Sequence, residues 1–242
     1  MTELLGDIST KLHGLTLPIG LEAYPFKIGW YNDEVHKSFH LEYDYDTLAF
    51  SLVSLPKMFD ILFCPFLEQW DGKGGNDALD ECMRFYLNKL KSNFTDVELI
   101  HDFEFHHSKR PKVLVQTAGH VSGGVFYFQR KDIKHSDPWP ENRKICGVCL
   151  HPKYGGWFGL RGILIFKNVK VPNLMKKELE CFLSNEQIIS LLDKFNNSWR
   201  DGTFRDVIEP LERYSTLQQK YFNVTPDERL ELIEKMKYGT PV

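Results

Sequence analysis

Residues 146–166, CGVCLHPKYGGWFGLRGILIF, constrain the fold more than any other stretch of the chain. Apolar residues run almost unbroken through Ile145–His151 and again through Trp157–Phe166, with Pro152 and the Gly155-Gly156 pair between them. This spacing predicts two buried strands joined as a hairpin. A strand that is apolar on both faces belongs in the middle of a sheet, not at its edge. Within the second run stands Arg161, followed by Gly162. A guanidinium left unpaired in a buried sheet costs many times what a normal hydrogen bond returns, so Arg161 requires an acidic side chain or an anionic ligand. Gly162 leaves room beside it for something flat or bulky.

The rest of the composition narrows the class. The chain has 242 residues, 42% of them hydrophobic, enough for a full core in one domain. Its 18 Phe, 10 Tyr and 5 Trp suit a core, and also a pocket for a flat ligand. The net charge of −3 and the absence of a basic run exclude the electrostatic footprint of a nucleic-acid binder. No apolar stretch reaches the roughly 18 residues of a membrane helix. The start, MTELLGDISTKL, has early acids and no apolar signal core. Five cysteines at irregular spacing point to reduced thiols and a cytoplasmic location.

Along the chain, Leu4, Leu5, Ile8, Leu12 and Leu15 recur at helical spacing. Tyr24–Tyr31 reads as extended, Thr47–Leu55 as a buried strand, and Pro56 as the start of a helix. Residues 71–76 (DGKGGN) read as a loop, and Asp77–Phe94 as an amphipathic helix. Val97–Phe105 and Lys112–Gln116 read as strands. Thr117–Arg130 mixes small residues with a β-branched and aromatic end, and a helix is the favoured reading. Asn185–Trp199, Ser215–Phe222 and Pro226–Tyr238 read as three further helices, the last capped by Thr225 with Glu228.

Several short patterns carry chemistry only weakly. Cys146 and Cys149 form a C-x-x-C, but in a strand they point to opposite faces, which predicts two separate buried thiols. Cys149 and His151 share a face, yet a zinc site with Cys146 would need a distorted strand; His36, His40, His106 and His107 lack a ligand pattern. Residues 72–75 could cradle a phosphate ahead of a helix, but a plain loop is the better reading. His120-Val-Ser-Gly123 matches H-x-x-G, a fragment of the pattern that gives a histidine to cobalt; the carboxylate that would polarise the ring is replaced by Ala118. Arg161, Arg205 and Arg229 read, on composition alone, as structural ion pairs.

HPKYGGWFGLRG resembles the signature of the CblC family of cytosolic cobalamin-processing proteins, which are related in fold to flavin-dependent nitroreductases. The resemblance extends through AYPFKIGWYN (Ala23–Asn32), RPKVLVQTAGHVSGG (Arg110–Gly124), DPW (Asp137–Trp139), WRDGTFRD (Trp199–Asp206) and ERYS (Glu212–Ser215).

The resemblance implies an α/β fold of the nitroreductase type: a mixed sheet flanked by helices, with a core over residues 1–182 and a helical cap over 183–242. It implies a corrin pocket between sheet and cap, contacted by Asp102, Val113, Leu114, Val115, Gln116, Tyr127, Phe128, Gln129, Cys149 and Leu160. His120 touches the ligand or its tail without binding cobalt, and no protein side chain serves as metal ligand or nucleophile. It implies that Arg161, Arg205 and Arg229 hold glutathione, reversing the reading from composition. The expected activities are glutathione-dependent removal of alkyl groups from alkylcobalamins and reductive decyanation of cyanocobalamin, with reduced flavin (FMN or FAD) or thiol as electron donor. A downstream trafficking adaptor and a monomer or ligand-dependent homodimer complete the expectation. An FMN-dependent nitroreductase or flavin reductase and a non-catalytic cobalamin carrier stay open at this point.

Overall fold

The structure, a computed structural model, describes residues 2–72 and 77–237. Helix α1 (Thr2–Thr16) leads into strand β1 (Leu21–Lys27), helix α2 (Ile28–Glu34) and strand β2 (Thr47–Ser54). A π-helical turn at Phe59–Phe63 runs into the short α3 (Cys64–Leu67). Then come α4 (Ala78–Lys91), β3 (Val97–His101), α5 (Val115–Val121), β4 (Phe126–Phe128), β5 (Val148–Leu150) and β6 (Gly159–Lys170). Helices α6 (Asn185–Ser198), α7 (Thr216–Asn223) and α8 (Pro226–Lys237) follow.

The sheet order is β1-β2-β6-β3, and all three pairings are antiparallel. Its residues alternate between two cores, because successive side chains in a strand point to opposite faces. Leu48, Phe50, Leu52, Leu164 and Phe166 join α1, α3, α4 and α8 on one side. Ala49, Ile163 and Ile165 join α2 and α5 on the other. Covering both faces explains why β2 is buried at every position. Each large apolar side chain so buried contributes about 1.5–3 kcal/mol. Polar residues set the helix starts. Asp77 accepts from the Leu79 N–H at 2.9 Å, and Ser184 with Gln187 forms a capping box. Thr225 and Glu228 exchange the reciprocal bonds expected of them.

The expected hairpin does not form. β6 is central, but both its edges are taken by β2 and β3, so no edge is left for residues 145–151. Only Val148–Leu150 is strand there, and it pairs with β4 in a separate two-stranded sheet. The two glycines close a tight loop instead: His151 and Gly155 exchange backbone bonds, and Gly156 donates to the Arg205 carbonyl. A side chain at Gly155 would come within 2.4 Å of that carbonyl, and the residue has φ +56°.

Other boundaries move for identifiable reasons. The extended reading of Tyr24–Tyr31 ends at Lys27, where α2 begins. The expected strand through Phe105 stops at His101, and Lys112–Gln116 is not a strand: Val115 opens α5. Helix α5 stops at Val121 because Gly123 turns at φ +68°, and the aromatic end of that segment becomes β4. Pro56 opens a turn, and the helical segment begins at Phe59. Most of the 71–76 loop, including its glycine cradle, lies outside the described residues.

Candidate functional site

Helix α5, the β4–β5 pair and the first residues of β6 converge on one wall. Tyr127 and Cys149 are direct partners in the β4–β5 register. The Cys149 thiol sits 3.9 Å from the Gln116 carbonyl on α5, linking the pair to the helix. Cys149 and Leu160 pack on one cluster with Val53, Val125 and Phe158. Helix and strand approach closely at Gly119, where a Cβ would lie 2.9 Å from Leu160 Cδ2. Burial raises the Cys149 thiol and the Tyr127 phenol above their ordinary values, so both are neutral near pH 7. Gln116 is exposed, and Leu114 and Val115 are half-buried beside it. The Leu114 N–H donates to the Tyr31 hydroxyl at 3.0 Å, which fixes the start of α5.

Two of the expected ring contacts point elsewhere. Phe128 is fully buried in the core beneath α6, as its alternation with Tyr127 requires. Val113 is buried on the α2–α5 side of the sheet. Each can offer a ligand only its backbone. Gln129 is committed to a capping box with Asp132. His120 accepts from the Tyr127 N–H at Nδ1 over 3.3 Å, and desolvation holds its pKa below the ordinary value. It is therefore a neutral imidazole that steadies β4.

The two cysteines differ from expectation. Cys146 is exposed rather than buried, because residues 145–147 lie outside the strand; Cys149 is half-buried, and both are free thiols. His151 is locked away from them. It is 2% exposed, accepts from the Lys153 N–H at 3.0 Å, and faces Glu22 at 3.5 Å and the Tyr24 hydroxyl at 3.2 Å. Glu22 is held below the usual carboxylate range chiefly by His151.

Arg161 is buried at 8% exposure, and its Nε–H donates to the Ser54 hydroxyl at 2.9 Å. Its guanidinium lies over Gly159, where a Cβ would come within 2.8 Å of Nη2. Among the described residues it makes no ion pair. Carboxylates surround it at longer range. Asp102 is raised above the usual range by desolvation, with Arg161 opposing, and its Oδ1 is buried without a partner. Asp80 is pushed up to about 6 by desolvation and then by Asp77 and Asp102, again with Arg161 opposing.

Arg205 and Arg229 flank a ridge of aromatic rings on the cap. The Arg205 guanidinium lies 5.4 Å from the Trp157 ring, 5.0 Å from Phe204 and 5.2 Å from Tyr214, and donates to the Gly156 carbonyl. Tyr214 meets Phe222 at 5.8 Å and Phe222 meets Tyr221 at 5.5 Å. Arg229 closes the ridge: it lies 4.8 Å from the Tyr221 ring and pairs with Asp77 at 2.8 Å. Tyr214 also ties the ridge to the sheet by donating to the Phe158 carbonyl at 2.6 Å, three residues before Arg161.

Sequence reading missed Ser54, Asp77 and Asp80. Ser54 had a signal, a polar side chain in the otherwise apolar run TLAFSLVSL. Asp77 and Asp80 had none, since acids in the first turn of a helix are ordinary.

The model of the methylmalonic aciduria and homocystinuria type C family matches residues 20–233. A Gallus gallus protein named cyanocobalamin reductase / alkylcobalamin dealkylase is 46% identical over 229 residues, covering 93% of this chain and 95% of its own. The Homo sapiens protein of the same name is 39% identical over 236 residues, covering 96% of this chain and 83% of its own. The crystal structure of a Caenorhabditis elegans B12-trafficking protein, CblC, superposes with a TM-score of 0.86 at 32% identity, covering 100% of both chains. Matched over nearly its whole length in sequence and in fold, this chain belongs to the methylmalonic aciduria and homocystinuria type C family, the CblC family.

Proposed function

We propose that this chain is a cytosolic cobalamin-processing enzyme that removes the upper axial ligand of its substrate. The observation that carries the reading is the shared wall of Gln116, Tyr127, Cys149 and Leu160, with buried Arg161 the next residue along β6. Apolar and aromatic surface packs a corrin face, while the Gln116 side chain, the Gln129 backbone and other exposed backbone amides bond its amide fringe. Asp102, with its unpartnered oxygen, and the backbone at Val113, Leu114, Val115 and Phe128 complete the contact set. The corrin sits with its nucleotide base detached, as the resemblance implies, and His120, which accepts at Nδ1 and so carries its proton at Nε2, gives cobalt no ligand.

Glutathione lies along the cap with its carboxylates on Arg161, Arg205 and Arg229, whose forks suit paired oxygens. Its thiolate attacks the cobalt-bound carbon of an alkylcobalamin. The carbon–cobalt bond breaks, its electron pair stays on cobalt, and a thioether leaves with reduced cobalamin. Holding both partners supplies the positioning such a displacement needs, and nearby guanidinium charge favours the thiolate. For cyanocobalamin, an external reduced flavin or a thiol supplies an electron and cyanide departs. The chain's own residues only bind, orient and exclude water, which is why the wall needs no nucleophile or general base. A trafficking adaptor takes the product onward, and a ligand-dependent homodimer is compatible with the exposed wall.

Methylcobalamin incubated with the purified protein, with and without glutathione, tests the reading by its visible spectrum. Conversion to reduced cobalamin only when glutathione is present is expected. A bound but unchanged spectrum would leave a carrier. No cobalamin binding, with flavin reduction instead, would make the chain a nitroreductase.

A further inference from the structure

On the far edge of the sheet lies a cavity of about 720 Å³ that the cobalamin reading does not use. It is lined by Lys37, His40, Glu42, Glu98, Arg110 and Lys112, among others, over an apolar floor that includes Leu41 and Ile100. A short excursion from the sheet carries Arg110 there. Phe105 and Pro111 form a bridge, His106 donates to the Arg110 carbonyl at 2.8 Å, and Lys112 donates to the Glu104 carbonyl at 2.9 Å. Arg110 is thus held by its backbone, while its side chain has no polar partner among the described residues. Its Nε is buried with no hydrogen bond among the described residues, and its guanidinium lies 5.5 Å from the Phe39 ring. A buried donor left unsatisfied costs about 1–3 kcal/mol, more when charged.

The charges around it are unevenly committed. Lys112 is neutralised by Glu104 at 2.8 Å. Glu98 accepts from the Tyr43 hydroxyl and pairs with Lys167 at 3.3 Å. Among the described residues Lys37 and Arg110 have no acidic partner, and of the lining acids only exposed Glu42 is uncommitted. His40 and His106 add two imidazoles to the same rim. The geometry points to a second ligand site here, for a phosphate monoester of about nucleotide size, its phosphate on Arg110 and Lys37 and its flat organic part over Leu41 and Ile100. A guanidinium fork and an ammonium lining one cavity suit phosphate oxygens, and the volume lies within the range of small-molecule pockets, about 300–1,000 Å³.

Calorimetric titration with adenosine monophosphate and with inorganic phosphate tests this. Saturable binding of the nucleotide is expected, tighter than that of inorganic phosphate. Arg110→Gln and Lys37→Gln should each weaken it about tenfold or more, and Arg205→Gln should leave it unchanged. Lys37 is exposed and its side chain pairs with no group among the described residues, so that variant folds even where Arg110→Gln does not. The site is overturned by no saturable nucleotide binding, by unchanged affinity in Lys37→Gln, or by loss in Arg205→Gln instead. Inorganic phosphate binding as tightly as the nucleotide would overturn the assignment of ligand size.

Discussion

Arg161 on β6 is held by Ser54 on β2: a guanidinium buried in the sheet donates to a neutral hydroxyl at 2.9 Å, not to a carboxylate. A hydroxyl fixes the orientation of the fork without neutralising it, so its charge remains for an anionic ligand. Ser54→Ala removes that acceptor and leaves a buried charged donor. A loss of about 1–3 kcal/mol in unfolding free energy is expected, with a shifted denaturant midpoint as the measure. Unchanged stability would mean that Arg161 finds another partner.

Arg205 and Arg229 separate the ligand role from the structural one. Replacing either with Gln removes a charge-assisted contact worth about 1.5–3 kcal/mol, or roughly a ten- to hundredfold loss in glutathione affinity or dealkylation rate. Cobalamin affinity should change little, because both lie on the cap. Wild-type glutathione dependence in both variants, with only a lower melting temperature, would reduce them to packing residues.

Asp77 competes with the proposed ligand for Arg229, at 2.8 Å. Asp77→Asn keeps a side chain able to cap α4 while removing the charge. Glutathione affinity should rise severalfold in this variant. A fall, with the helix intact by circular dichroism, would show that the ion pair orients Arg229 instead of occupying it.

Gly119 sets the distance between α5 and Leu160 on the proposed corrin wall. The Cβ of Gly119→Ala would lie 2.8 Å from Val125 Cγ2 and 2.9 Å from Leu160 Cδ2, so Leu160 must swing. A severalfold weaker cobalamin affinity in a folded protein is expected, with glutathione dependence kept. Wild-type cobalamin affinity would place the ring away from Leu160.

The acid cluster predicts a pH dependence. Asp80 is raised to about 6 from the ordinary 3.8. Folding then takes up protons between these values, so the stabilising effect of the neutral acid is full below about 4 and lost as pH rises through about 6. Asp80→Asn should therefore be more stable than the parent above pH 6, with the difference vanishing near pH 4. A difference that stays constant across that range would show that another group titrates.

The sequence alone determined where the main apolar runs lie and which family the chain resembles. The unbroken apolar run of Thr47–Ser54 and the capped start of α8 depend on neighbours within a few residues, so they were legible before any fold. Tertiary structure alone decided the pairing partners. Residues 145–151 and 157–166 carry equal apolar signals, yet only the second is central, because a strand has two edges and β2 and β3 occupy both of those on β6. Resemblance placed Arg161, Arg205 and Arg229 in one site. It could not tell that Ser54 holds the first, aromatic rings the second and Asp77 the third. Those contacts join residues far apart in the chain, and no local pattern encodes a distance that only packing sets.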